Sequence, residues 1–259
     1  MAGFRFKQFN IEQERTAMKV NTDGVLLGAW MDILPTDNTF LDIGTGTGVI
    51  ALMCAQRVEK LHNSADTEKD NLHNSSQDCK ITGIEIEDNA YADAADNVSS
   101  SPWPWVEVQH VALQDYTPNY PTGFDLIFTN PPYFINSLKS SGDEMANAKH
   151  TDTLSQMELL NNVLRLLCIG GRLAVILPVT EGREFIRKTE FVGKHTKMTL
   201  NLIRVCEVFT VGHKPAKRLL MEFRKGEYNT GRGIIKEKLV ISGPDNERFK
   251  RLMFDFYLN

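Results

Sequence analysis

Short runs of apolar and β-branched residues alternate along the chain with segments whose apolar positions recur at helical spacing. Thr39–Ile43 reads as a buried strand, followed by a glycine turn and an apolar helix over Val49–Val58. Ile81–Glu85 predicts a second strand and Asp88–Val98 an alanine-rich helix, with further strands at Trp105–Gln109 and Phe124–Phe128. Thr153 and Gln156 have capping-box spacing and open a helix carrying Met157, Leu160, Val163, Leu164 and Leu167 on one stripe. Gly170-Gly171 ends that helix, and Leu173–Leu177 is a fully apolar strand. Strands alternating with helices predict an α/β fold with a doubly wound, mainly parallel sheet.

Beyond residue 180 the pattern changes. Glu181–Glu190 reads as a helix, and Leu202–Phe209 and Leu219–Phe223 as longer strands that finish the sheet in antiparallel fashion. Glu59–Lys80 is polar, with Leu61 and Leu72 nearly its only apolar residues, and lies where connections are normally short. It reads as a mobile surface insertion, in which His62 and His73 have no fixed geometry for a metal. With no linker elsewhere, residues 1–259 are expected to form one domain. Its parts are an N-terminal segment over 1–35, the insertion over 59–80 and a basic part over 180–259.

Composition narrows the setting. Among 259 residues, 42% are hydrophobic and 24% charged, which excludes a disordered or fibrous chain. No apolar run approaches the ~20 residues of a membrane span. The first residues lack the apolar core of a secretory signal, so none is expected. Cys54, Cys79, Cys168 and Cys206 form no C-x-x-C pair, which predicts reduced thiols in a cytoplasm rather than zinc or disulfides. The net charge of −4 conceals a division. Residues 1–150 hold 10 Lys and Arg against 21 Asp and Glu, whereas residues 151–259 hold 19 against 12. One face should repel polyanions and another attract them.

Three motifs carry chemistry. The first is Leu41-Asp42-Ile43-Gly44-Thr45-Gly46-Thr47-Gly48, where glycines after a buried strand let the backbone approach a ligand at a helix N-terminus. Val49 breaks the dinucleotide fingerprint, and no lysine completes a phosphate loop. Asp42 would oppose a pyrophosphate but suits an ammonium or sulfonium group. The second is Glu85, an acid at the tip of the second strand that can accept both hydroxyls of a ribose. Glu87 and Asp88 beside it read as helix-start residues.

The third motif is Asn130-Pro131-Pro132-Tyr133, which ends the strand Phe124–Phe128. It places an amide oxygen, a proline-fixed carbonyl and a flat ring at the sheet edge where ligands bind. A planar amino nitrogen is a poor nucleophile because its lone pair is delocalised. Accepting both of its N–H hydrogens, from Asn130 and the Pro131 carbonyl, stabilises it as it becomes tetrahedral and positive. Tyr133 can stack on the base for ~1–3 kcal/mol.

Together these motifs resemble the class I S-adenosylmethionine-dependent methyltransferases that modify amino groups. Phe4-Arg5-Phe6-Lys7-Gln8-Phe9 and the stretch Ala17–Trp30 are similar, more narrowly, to the bacterial tRNA1(Val) adenine-N6 methyltransferases, which act on the adenosine next to the anticodon. The resemblance implies a Rossmann-like fold with a seven-stranded sheet. It implies S-adenosyl-L-methionine held by Asp42, Gly44, Thr45, Gly46 and Gly48, with Glu85 on its ribose and Thr22, Asp23 and Gly24 beside it. On their residues alone, Thr22-Asp23-Gly24 are equally a helix-capping turn. Such enzymes often carry an acid after the third strand that meets the cofactor's adenine. Here Ala112 occupies that place, and either Asp115 or a backbone group could substitute.

The expected partner is tRNA, with no membrane, no metal and a monomeric state. Lys214, Lys217 and Arg218 form one basic cluster, and Arg187 and Lys188, with Arg183, Lys194 and Lys197, another. Trp103 and Trp105 follow the serines at 99–101 and read as a loop anchor and a strand start rather than RNA-stacking residues. The competing readings are a glutamine-N5 methyltransferase of a release factor, an rRNA guanine-N2 methyltransferase, and a catalytically silent RNA-binding partner.

Overall fold

A computed structural model describes residues 3–65, 79–118, 123–131, 154–229 and 233–258. The predicted strands become β3 (Thr39–Ile43), β4 (Lys80–Glu85), β5 (Glu107–His110), β6 (Phe124–Thr129), β7 (Leu167–Pro178), β8 (Met198–Phe209) and β9 (Arg218–Glu227). Two short strands, β1 (Phe4–Arg5) and β2 (Asn10–Ile11), pair as a separate ribbon, and β10 (Ile235–Val240) joins the main sheet. The order is β10-β8-β9-β7-β6-β3-β4-β5, eight strands among the described residues rather than the expected seven. The extra strand is β10, parallel to β8. The expected antiparallel finish is present, since β9 runs against both β7 and β8.

Alternation along the strands divides the interior in two. Phe40, Leu126, Phe128, Ala174 and Ile176 face one core, under α1 (Thr22–Trp30), α2 (Val49–Ala65) and α6 (Glu247–Met253). Their neighbours Leu41, Ile43, Ile127, Leu173 and Val175 face the other, under α4 (Gln156–Leu166) and α5 (Val179–Thr196). A sheet covered on both faces needs strands that are apolar throughout, which is why β3, β6 and β7 read as continuous apolar runs. Trp103 is buried in the first core and donates to Glu59 at 3.1 Å, as a loop anchor should. Trp105 is partly buried against the same core, but the strand starts two residues later.

Several boundaries differ from the sequence reading. Helix α2 runs on to Ala65, so the polar insertion begins as helix, with Leu61 packed against the core and His62 Nδ1 bonded to the Val58 carbonyl at 2.8 Å. The remainder of the insertion, including His73, lies outside the described residues. The capping box of α4 is Ser155 with Glu158, a register two residues later than expected, and Thr153 lies outside the described residues. Gly170-Gly171 does not end α4. The chain turns at Leu167 directly into β7, and the glycines accommodate a shift in the β6–β7 register, Gly170 at φ 83°. Helix α5 extends beyond Glu181–Glu190 at both ends.

Candidate active site

Strands β3 and β6 are neighbours, and the sheet order runs away from them in opposite directions. Ligands of open α/β sheets bind outside the carboxyl ends of the strands at such a switch point. A cavity of about 500 Å³ opens there. Its wall takes in Gly44 and Gly46 after β3, Glu85 after β4, Asp115 beyond β5, and Asn130 and Pro131 after β6.

The glycine loop has its shape for physical reasons. Gly44, Gly46 and Gly48 sit at φ 66°, 59° and 81°, a left-handed region costly to other residues. A side chain on Gly44 or Gly46 would project into open space, so these backbones present a bare cradle to the cavity. Gly48 packs against Ala94 of α3 (Asp88–Ser99), bringing helix and loop together. Gly83, which the sequence reading passed over, is needed beneath them: a Cβ there would stand 2.9 Å from the Thr45 hydroxyl. Asp42 is fully buried under the loop, where its Oδ2 accepts from Thr45 Oγ1 at 2.7 Å. Burial pushes its carboxyl up to about 7, against the opposing pull of the Thr45 hydroxyl.

Glu85 closes the other side. Its Oε2 accepts the Gly46 N–H at 2.8 Å, and its Oε1 those of Ile86 and Glu87 at 2.9 and 3.0 Å. The carboxylate thus ties the glycine loop to the tip of β4 while still lining the cavity. Glu87 caps α3, accepting from Asn89 and Ala90, and these bonds hold its carboxyl below the usual range. Ala112 and Asp115 both stand on the cavity wall. Ile86, Ala90, Val111 and Leu113 give that wall an apolar surface beside the acids, a donor and acceptor set that fits a nucleoside carrying a cationic group.

A third wall comes from the N-terminal segment, through Thr16, Ala17 and Met18. Two buried polar residues of α3 hold it, and neither was singled out from sequence. Asp93 Oδ2 accepts the N–H groups of Arg15 and Thr16 at 3.1 and 2.9 Å. Asn97 exchanges hydrogen bonds with the backbone of Glu12 and also donates to the Thr47 carbonyl of the glycine loop at 3.0 Å. The sequence carries no local signal for either, because their partners are remote along the chain.

At the end of β6, Thr129 is buried and donates to the Ile43 carbonyl at 2.8 Å, fixing β6 against β3. Pro131 is buried beside half-buried Asn130, whose Nδ2 lies 3.4 Å from Asn21 Oδ1. Pro132 and Tyr133 lie outside the described residues. Thr22, Asp23 and Gly24 form the first turn of α1 next to Asn130, and Asp23 pairs with Arg218 at 2.7 Å. Of the basic residues, Lys214 and Lys217 are exposed on the β8–β9 loop at the same sheet edge as the cavity. Arg187 is exposed on α5, whereas Lys188 is engaged by Glu184 and Gln156 at 2.7 and 3.0 Å. Lys194 and Lys197 sit at the far end of α5, at the opposite edge of the sheet. Among the described residues no group of His, Cys, Asp or Glu is arranged to hold a metal, and no helix is long and apolar enough to cross a membrane.

No family model matches the chain. Among solved structures, a predicted O-methyltransferase from Agrobacterium tumefaciens superimposes with a TM-score of 0.58 over 90% of this chain and 96% of its own, at 16% identity. A Listeria monocytogenes protein classed provisionally as a class I S-adenosylmethionine-dependent methyltransferase gives 0.55 over 90% of this chain and 68% of its own, at 12% identity. These likenesses establish a Rossmann-like methyltransferase fold. Sequence relatives are far closer. The tRNA1(Val) (adenine(37)-N6)-methyltransferase of Mannheimia succiniciproducens is 37% identical over 100% of this chain and 95% of its own length. Those of Pseudoalteromonas translucida and Vibrio parahaemolyticus are 38% and 39% identical over 100% and 99% of this chain, and 99% and 95% of their own. At that identity, from one end of the alignment to the other, this chain belongs to the tRNA1(Val) (adenine(37)-N6)-methyltransferase family.

Proposed function

We propose that this protein transfers a methyl group from S-adenosyl-L-methionine to the exocyclic N6 nitrogen of the adenosine at position 37 of tRNA1(Val), the reaction that its relatives' name describes. The observation that carries the reading is the meeting of Asn130 and Pro131 with the glycine loop and Glu85 around one cavity.

S-adenosyl-L-methionine, when bound, supplies an electrophilic methyl on a sulfonium. Gly44 and Gly46 would lie against it, and Glu85 would accept from its ribose with the lone pairs left by three backbone N–H groups. Asp42, Thr45 and Gly48 build the loop from below. Asp115, on the wall beside Ala112, is the acid available to the cofactor's adenine. Thr22, Asp23 and Gly24 form the turn that backs Asn130.

The target adenosine leaves its stack to enter the cavity. Asn130 Oδ1 and the Pro131 carbonyl accept its two amino hydrogens, and Tyr133 stacks on the ring. These acceptors stabilise the nitrogen most when it is tetrahedral and cationic, so they favour the transition state over the bound base. No side-chain base is required, because the methylated ammonium is strongly acidic and gives its proton to water. Lys214 and Lys217, exposed on the β8–β9 loop, meet the tRNA phosphates. Arg187 on α5 and the ion-paired Arg218 and Lys188 add to the same positive field, and the work is done in the cytoplasm.

Asn130→Ala tests the reading. Single-turnover methylation of the tRNA transcript should fall at least about 100-fold, in the range found when one oxyanion-hole donor is removed. Affinity for S-adenosylhomocysteine, measured by calorimetry, should stay near the wild-type value. A wild-type single-turnover rate would refute the mechanism, and no transfer by the wild-type protein would leave a silent cofactor binder.

A further inference from the structure

Asn130 can hold an amino group only if the oxygen of its side chain faces the substrate, with the nitrogen turned away. The two ends of a carboxamide fill nearly the same space, so packing does not choose between them. The neighbouring field chooses wrongly. The first turn of α1 lies beside Asn130, and the positive end of a helix attracts an oxygen. Left to that field, Asn130 would turn its oxygen toward α1 and its nitrogen to the cavity.

Asn21 reverses this preference. It is the N-cap of α1, with extended backbone, and its Oδ1 accepts the Gly24 N–H at 3.0 Å. A backbone N–H can only donate, so the atom of Asn21 on that side is the oxygen. The same oxygen lies 3.4 Å from Asn130 Nδ2. Gly24 lies against that nitrogen, since a Cβ built there would stand 3.7 Å from it, at ordinary van der Waals contact.

We propose that Asn21 is a positioning residue that sets the polarity of Asn130. The fixed donor at Gly24 orients Asn21, Asn21 Oδ1 takes Asn130 Nδ2, and Asn130 Oδ1 is left for the amino group. The proposal rests on the reading of Asn130 as the acceptor, and its test separates the two.

Asn21→Ser keeps a good helix cap, since serine and asparagine cap equally well, but its shorter side chain no longer spans to Asn130. Asn21→Asp keeps acceptor oxygens for both partners. With tRNA and cofactor saturating, Asn21→Ser should lower the single-turnover rate roughly tenfold, the value of one ordinary hydrogen bond. The tRNA KM and the affinity for S-adenosylhomocysteine should stay within about twofold, and Asn21→Asp should recover most of the missing rate. In an Asn130→Ala background the serine substitution should cost nothing further. A wild-type rate in Asn21→Ser, or an equal loss in both backgrounds, would overturn the role of Asn21 alone. A wild-type rate in Asn130→Ala would overturn that of Asn130 as well.

Discussion

Asp42 shows how one buried group ties the site to stability. Its Oδ1 makes no hydrogen bond among the described residues, and burial raises its carboxyl from 3.8 to about 7. A group whose folded value lies above its unfolded one holds its proton more tightly in the folded state. Through Asp42 alone, the folded state loses stability as pH rises from about 4 to 7, by up to ~1.4 kcal/mol per pH unit. An amide in place of this carboxyl carries no such proton, so the stability of Asp42→Asn relative to wild type should rise across that window and level off above it. Urea unfolding without cofactor at pH 4.5, 6 and 8 measures this, and a difference that does not change with pH would refute it. The glycines and acids of this site were legible because strand–glycine–helix and strand–acid patterns are local. Gly83 and Asn21 were not, since each matters only through a residue brought beside it by folding.

The elements themselves were legible wherever the apolar period was strong. The ends were less so, because a box such as Ser155–Glu158 competes with a similar spacing two residues earlier. Strand β10 was missed because Ile235–Val240 is an edge strand that buries little besides Leu239. Hardest to read was the stretch between β2 and α1, which has no helix or strand of its own and is held by two side chains of α3. Asp93→Ala would leave the N–H groups of Arg15 and Thr16 without their acceptor, at about 1–3 kcal/mol for each that stays buried. Hydrogen exchange over residues 12–18 should then quicken strongly while the β6 and β7 amides keep their protection. Unchanged exchange in the segment would show that Asp93 does not hold it.

Over the whole molecule, charge and topology agree. The β8–β9 loop with Lys214 and Lys217 shares its edge with the cavity, while α3 presents Glu87 and Asp88 on the other flank. Lys214→Glu with Lys217→Glu should weaken tRNA binding and flatten its log–log salt dependence by about one unit of slope for each phosphate no longer neutralised. The matching pair Lys194→Glu and Lys197→Glu, at the far edge, should change both much less. Equal effects from the two pairs, in filter binding across a salt series, would contradict this orientation of the RNA. The same far edge carries a buried ionic cluster in which Arg172 bridges Asp37 and Glu222 at 2.8 and 2.9 Å, tying the entry to β3 to the antiparallel strands.

The two ends of the described chain meet. The Lys7 N–H donates to the Phe256 carbonyl at 2.8 Å, its ammonium reaches the Phe254 carbonyl, and Phe4 lies against Tyr257. These interactions help anchor the stretch leading to Thr16, Ala17 and Met18, and they are supplied by residues far along the chain, 247 positions on in the case of Lys7 and Phe254. During translation, then, this segment emerges well before α6 and gains the second of its two anchorages only when that helix has followed it. A nascent chain halted short of residue 253 would carry every glycine and acid of the site, with its third wall resting on Asp93 and Asn97 alone.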